Sequence, residues 1–329
     1  MHILRRAWRL ALIVCAVVVV AAAAYVVHHH DRVPDAGQIP SPPKIRTRAA
    51  SSLPVRAPEA IKHAKLLVIM EENYSCPGSQ AGMPYLTRLG SRPGGAHVDC
   101  GNWVSLGHLG VGLYIDLAHG SDHGIQRGAP SPSNSFTGPS VFDQAIQAGR
   151  TAKIYEESMP HNCDRNNAQP YITRHNPWLY GYDPTVQADC RRFDVPLGTT
   201  TAGALSHDIR TGALPTNALV VPNLEHDART GSIAEADAWL HSWIPLLEGG
   251  PDYQSGRLTV VITWDQPHFH QPGTNPVQTV ILHKGLTGQA VASGTYNLFS
   301  ITRWYEDVAG TPYLGNARTA GDLRTVLRL

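Results

Sequence analysis

The stretch Lys65–Ser75, KLLVIMEENYS, changes character halfway along. Leu66, Leu67, Val68, Ile69 and Met70 follow one another without polar alternation, the pattern of a strand buried on both faces in a parallel sheet. The run stops at Glu71, Glu72 and Asn73. Open α/β sheets bind ligands beyond the carboxyl ends of their strands. A carboxylate and a carboxamide there are candidate groups for a metal or a phosphate-bearing substrate. A buried strand that exits into a polar turn has the same local pattern, so the stretch alone leaves both readings open.

The pattern recurs along the chain. LTVVITW (258–264) ends in Asp265, AKIY (152–155) runs into Glu156 and Glu157, and ALVV (218–221) stops at Pro222 and Asn223. Residues 277–283 read as a further strand. Helical spacing predicts helices over 83–90, 140–149, 202–210, 298–308 and 320–327. A helix over 232–247 opens with a capping box, Ser232 and Glu235. Residues 94–112 and 158–200 read as loops. Strands alternating with helices give an α/β class with a mainly parallel central sheet flanked by helices. Three strands ending in acids (Glu72, Glu156–Glu157, Asp265) suit a divalent-metal or phosphoryl site if they converge. Glu156 and Glu157 read equally well as simple strand ends.

The chain has 329 residues, 42% of them hydrophobic, and a net charge of +1. That is enough for one large core, and it gives no electrostatic reason to expect nucleic acid. Arg5, Arg6 and Arg9 precede an apolar run from Leu10 to Val27. The run is near the short limit for a membrane span, and its basic flank keeps the N-terminus cytoplasmic. Ala21–Ala24 also suit a cleavage site. Residues 1–30 are therefore a signal peptide or a signal anchor, residues 31–60 a proline-rich linker, and residues 61–329 the globular domain. Both alternatives export the domain, anchored at the outer face of the membrane or secreted. Outside the run stand Cys76, Cys100, Cys163 and Cys190. An even count in an oxidising compartment implies disulfides. Three connectivities are open, and the sequence-local pairs close the shortest loops. A zinc site lacks the usual CxxC.

Seven segments in order bring a family into view: VIMEENYS (68–75), YEESMP (155–160), RHNP (174–177), VPNLEHD (221–227), DAWLHSWIP (237–245), VVITWDQ (260–266) and YNLFSITRWYED (296–307). Over roughly residues 63–329 the chain resembles the bacterial phosphoesterase family of acid phosphatases and phospholipase C-like enzymes, within the alkaline phosphatase-like superfamily. The resemblance implies an alkaline phosphatase-like fold and metal-assisted hydrolysis of phosphoric esters. It implies metal ligation by Glu72, Asn73 and Asp265. It makes Asp265, Asp227 and His108 the candidate catalytic residues. By side-chain chemistry Arg229 and His175 are candidate substrate contacts: Arg229 offers a bidentate fork for phosphate or a surface salt bridge, and His175 orders the loop at Asn176 and Pro177 or faces the cleft. The cofactor is a divalent ion (Zn²⁺, Mg²⁺, Ca²⁺ or Mn²⁺) or none. The partners are a phosphate ester or phospholipid head group, and the membrane through the N-terminal segment.

The chain departs from that family at four site positions. The segment matching H-P-S-x-P-N-Y reads His108-Leu109-Gly110-Val111-Gly112-Leu113-Tyr114, so the serine nucleophile is Gly110. W-D-E reads Trp264-Asp265-Gln266, D-x-H reads Asp227-Ala228-Arg229, and the histidine opening the closing helix is Leu298. Loss of a covalent nucleophile costs about 10⁶-fold in comparable mechanisms. Two functions follow: a phosphoesterase with altered, reduced or lost activity, or a catalytically inactive relative that binds a partner outside the cytoplasm. Ser105 is a distant substitute nucleophile. His119, His123, His268 and His270 are spare imidazoles for a metal or, more simply, loop side chains.

Overall fold

The apolar run at 66–70 becomes the centre of the sheet because every neighbour it gains is equally apolar. The structure, a computed structural model, describes residues 64–107, 110–268 and 275–329. The N-terminal apolar run, the linker, His108 and His270 lie outside the described residues. Among the described residues, no helix is long and apolar enough to cross a membrane.

Eight strands form one sheet: β1 (Lys65–Glu71), β2 (Gly95–Val98), β3 (Ala152–Glu156), β4 (Asp194–Pro196), β5 (Asn217–Val221), β6 (Leu258–Trp264), β7 (Thr279–Leu282) and β8 (Gln289–Val291). Their order is β4-β3-β5-β1-β6-β7-β2-β8. Strand β1 pairs in parallel with β5 and β6, with Leu67 opposite Ala218 and Val260. Only β7 runs against its neighbours, β6 and β2. The class is α/β with a mostly parallel sheet flanked by helices, as the alternation of elements predicts.

Two stretches read as loops are partly regular. Within 94–112, Gly95–Val98 is strand β2, which pairs with both β7 and β8. Overlapping the end of that stretch, Val111–His119 is a helix whose nine residues are all buried. Its sequence, VGLYIDLAH, is apolar nearly all round, so it lacks the amphipathic period that marks a surface helix. Within 158–200, Pro184–Phe193 is a helix and Asp194–Pro196 the edge strand β4. The predicted capping box is present: Ser232 Oγ accepts from Glu235 N, and the Glu235 carboxylate accepts from Ser232 N. Asp237 in the same helix accepts from the N–H groups of Tyr85 and Leu86, both at 2.9 Å, and so caps the helix Pro84–Ser91 from outside.

The disulfides are sequence-local, Cys76–Cys100 and Cys163–Cys190. Beside the second, Asp194 is fully buried, with Oδ2 3.6 Å from Cys190 Sγ and 2.8 Å from the donating Asn176 Nδ2. Burial raises the Asp194 carboxyl to about 7, against the lowering effects of the Asn176 amide and Arg165. The folded protein therefore binds this proton more tightly than the unfolded chain, where the value is about 4. The resulting stability is present below about pH 4 and is lost as pH rises towards 7, by up to about 1.4 kcal/mol per pH unit. Urea melts between pH 4 and pH 8 should show this decline in the wild-type protein and a flatter profile in Asp194→Asn. Parallel profiles would acquit Asp194.

Candidate active site

The three central strands end together, and their ladder continues one step beyond them. Asp265 N donates to Glu71 O at 3.0 Å, and Glu72 N donates to Asp227 O at 2.9 Å. Backbone pairing thus places Asp227, Glu72 and Asp265 side by side at the carboxyl ends of β5, β1 and β6. All three are buried. Glu72 is the hub: Oε2 accepts from Asn73 Nδ2 at 2.9 Å and from Arg229 Nη1 at 2.8 Å, while Oε1 forms an ion pair with His175 Nε2. The other ring nitrogen, His175 Nδ1, lies 3.6 Å from Asp227 Oδ2. Tyr114, from the buried helix, stacks on the His175 ring at 4.9 Å with 7° between planes. Its hydroxyl, and Oδ2 of Asp227 and of Asp265, are buried and make no hydrogen bond among the described residues.

The Asn73 amide is already engaged. Its backbone, at φ 64°, turns so that Asn73 N donates to Asp265 Oδ1 at 3.0 Å. Its Oδ1 accepts from Gln266 Nε2 at 2.8 Å, and Gln266 Oε1 accepts from Gly110 N at 3.2 Å. A glutamate at 266 can accept from Gly110 but cannot donate to Asn73. The amide at 266 therefore ties Asn73 to the start of the buried helix. Gly110 caps that helix with φ 54° and ψ −115°, and a Cβ there would meet nothing within 4 Å among the described residues. Among the described residues, nothing fills the space at the position that carries the serine in the resembling family.

Charge is distributed unevenly. Burial alone would raise Glu72, but His175 and Arg229 outweigh it and hold the carboxyl down at about 2. Burial, then the Glu72 charge, pushes Asp227 up to about 8. The same two causes raise Asp265 well above the carboxylate range, against the N–H groups of Asn73 and Gln266. Burial lowers His175, and the Glu72 carboxylate opposes it. Beneath the site Glu71 is fully buried with neither oxygen hydrogen-bonded among the described residues, and burial and then Asp227 raise it well above its ordinary value.

The donor set fits a cation. Glu72, His175 and Asp227 each offer a ligand atom, all within 4.8 Å of one another. One imidazole with carboxylates suits Zn²⁺ or Mn²⁺. Arg229 already supplies one positive charge to Glu72. A second group, Cys163, Cys190 and Asp194, has its sulfurs consumed by the disulfide.

Of the residues singled out in the sequence, Glu72, Asp227, Asp265, His175 and Arg229 converge, and Asn73 braces them. His108 lies outside the described residues. Glu156 and Glu157 do not join the cluster, because β5 separates β3 from β1. Ser105 Oγ donates to Gly107 O at 2.9 Å within its own loop. His119 and His123 pack on Phe136, and His268 lies 6.0 Å from the Tyr74 ring. Sequence reasoning missed Tyr114, whose only signal was its register in the segment 108–114, and the bracing role of Gln266.

The fold and this acid-and-imidazole edge define an alkaline phosphatase-like α/β protein. The fold is similar to that of an alkaline phosphatase superfamily protein from Vibrio parahaemolyticus (TM-score 0.55, 14% identity, 82% of this chain and 72% of that one). It is also similar to the PsFucS1 sulfatase from Pseudoalteromonas sp. (TM-score 0.51, 12% identity, 80% and 72%). The Phosphoesterase family model matches residues 64–302, and the chain belongs to that family. It is 26% identical over 280 residues, 83% of each chain, to the phosphatidylinositol-3-phosphatase of Mycobacterium tuberculosis (strain ATCC 25618 / H37Rv). Family and fold together support a phosphoester hydrolase.

Proposed function

We propose that the protein hydrolyses phosphate monoesters, a phospholipid head group among them, by direct attack of water rather than through a phosphoserine. The observation that carries this reading is the space at Gly110, unfilled among the described residues, next to a buried cluster with two carboxylate oxygens that make no hydrogen bond among those residues. A water fits where a serine side chain is missing. Arg229, exposed and anchored on Glu72 through Nη1, keeps the rest of its guanidinium fork for phosphoryl oxygens. With no cation on it, Asp227 Oδ2 takes the proton of the attacking water, and Asp265 Oδ2 delivers one to the leaving alcohol oxygen. His175, clamped between Glu72 and Asp227 and stacked on Tyr114, holds the two acids apart and in register. Glu72, His175 and Asp227 would hold a divalent cation, which when bound supplies Lewis-acid polarisation of a phosphoryl oxygen.

The name of the mycobacterial relative supports a head-group phosphate as substrate. Two disulfides and the apolar run at 10–27 support placing the domain outside the cytoplasm, tethered to the membrane or released. Gly110 also favours a second reading, a catalytically inactive module that only binds the phosphorylated ligand. Purified protein assayed on p-nitrophenyl phosphate and bis-p-nitrophenyl phosphate separates them. The assay is run after chelation and again with Zn²⁺, Mg²⁺, Ca²⁺ or Mn²⁺. Hydrolysis of the monoester is expected; no turnover under any of these conditions would leave the binding module.

A further inference from the structure

The Cys163–Cys190 disulfide closes the loop that carries His175 to the acid cluster. Residues 164–189 lie between the two cysteines, with His175 near their middle. A cross-link restricts the segment it closes, and of the cluster side chains only His175 is held in this way. The loop of the other disulfide, 77–99, carries none of them. The two ends of the bond are unequal. Cys163, in the irregular segment after β3, is half-buried, whereas Cys190, in the helix Pro184–Phe193, is fully buried.

A proton source stands at the buried end. Asp194 Oδ2 lies 3.6 Å from Cys190 Sγ. Glu156 from β3, and Arg165, Tyr171 and Asn176 from the loop, are the charged and polar groups that act on Asp194. Asp194 Oδ1 and Glu156 Oε1 are buried and make no hydrogen bond among the described residues. Two carboxyls this deep and this close do not both carry charge, so a proton is retained between them. Asn176 joins this pair to the reaction site: its Nδ2 donates to Asp194 Oδ2 at 2.8 Å, and His175 is its neighbour in the chain.

We propose that Cys163–Cys190 is a reducible clasp, opened by a protein dithiol with Asp194 as its proton donor, and that opening it withdraws His175 from Glu72 and Asp227. The regulatory consequence rests on the phosphoesterase reading of the cluster; the clasp does not. A thiolate of the dithiol attacks Sγ of Cys163, the less buried cysteine, and forms a mixed disulfide. The Cys163–Cys190 bond breaks, its electron pair goes to Cys190 Sγ, and the Asp194 carboxyl delivers the proton that makes Cys190 a thiol. Apolar surroundings disfavour a bare thiolate, so this transfer lowers the barrier. The second thiolate of the dithiol then attacks its own partner sulfur in the mixed disulfide and releases Cys163, which takes a proton from water. The dithiol leaves oxidised to a disulfide, the protein has gained two electrons and two protons, and Asp194 regains its proton from solvent.

The test reduces the whole protein stepwise with dithiothreitol, alkylates it and maps the modified cysteines by mass spectrometry. Cys163 and Cys190 should appear before Cys76 and Cys100. Asp194→Asn keeps the size of the side chain but has no proton to deliver, and should open the clasp about tenfold to a hundredfold more slowly, within reach of one general acid. A purely structural Asp194 would give the opposite sign, since loosening the pocket exposes the bond. The ring of His175 lies flat on that of Tyr114, so its imidazole proton resonances carry a ring-current shift that should vanish in the opened protein while those of β1 and β6 stay in place. Cys163→Ser/Cys190→Ser checks the same shift without alkylation. Opening of Cys76–Cys100 first, an Asp194→Asn rate equal to or above wild type, unmoved His175 resonances, or collapse of the whole spectrum each overturn the proposal. Turnover of p-nitrophenyl phosphate, followed alongside, should fall about tenfold or more on opening. Moved resonances with no turnover in either form would leave the clasp standing and remove the phosphatase reading; equal turnover in both forms with unmoved resonances would do the reverse.

Discussion

Glu72→Gln should lower kcat/KM on p-nitrophenyl phosphate by roughly 10³-fold or more, at the upper end of what one preorganised electrostatic group contributes. The variant keeps the volume of the side chain and removes only its charge. In the wild-type site that charge meets three partners at once, His175, Arg229 and Asn73. An amide keeps one oxygen of the two, so either His175 or the Arg229 and Asn73 pair meets a donor in place of an acceptor, and neither cation retains its counter-charge. The fold should survive. Arg229 keeps 36% of its side chain exposed and can turn to solvent, which limits the cost to about 1–3 kcal/mol. Paired activity assays and thermal melts check both halves. A folded variant retaining more than a tenth of the activity would take Glu72 out of the centre of the chemistry.

Arg229→Met is expected to have the second largest effect, a fall of about 10²-fold in kcat/KM. Arg229→Lys should recover only part of it, because an ammonium lacks the planar fork that grips two phosphoryl oxygens. The same substitution should act oppositely on cations. With the guanidinium gone, Glu72 has no fixed counter-charge on Oε2, and calorimetric titration should show tighter Zn²⁺ or Mn²⁺ binding than in the wild-type protein. Full activity in the Met variant would exclude Arg229 from phosphate binding. Unchanged cation affinity would show that it does not compete for Glu72.

These expectations explain how the site departs from the pattern it resembles. Three of the departures act as a set. Gly110 gives up the nucleophile and opens space, Gln266 braces Asn73 and the helix start in place of an acid, and Arg229 brings its own charge in place of a histidine. Each change reads in sequence as a loss. Placed together, they form a connected network in which Asn73 touches both Glu72 and Gln266, and Gln266 touches Gly110. That is the physical ground for expecting altered chemistry rather than an empty remnant.

Much of this was legible in order along the chain. The apolar runs at 66–70, 218–221 and 258–264 announced buried parallel strands, since only a two-sided environment tolerates apolar residues without alternation. The box at Ser232 and Glu235 marked its helix correctly. The helix Val111–His119 was not legible: a helix buried on every face loses the period that reveals it. Strands β2, β4 and β8, of three or four residues, are too short to carry a pattern.

The sequence by itself determined the class of fold, the family, the acids at the strand ends and the absence of a serine at 110, because each is a matter of which residue stands where in an ordered set of motifs. Only the tertiary structure decided which acids share a site. Glu156 and Glu157 look like Glu72 and Asp265 in the chain, yet sheet order sets β5 between them, and strand order is a long-range property that local pattern does not encode. It also decided that His175, more than a hundred residues from Glu72, closes the cluster. The charge each acid carries follows from burial and neighbours, and neither exists until the chain has folded.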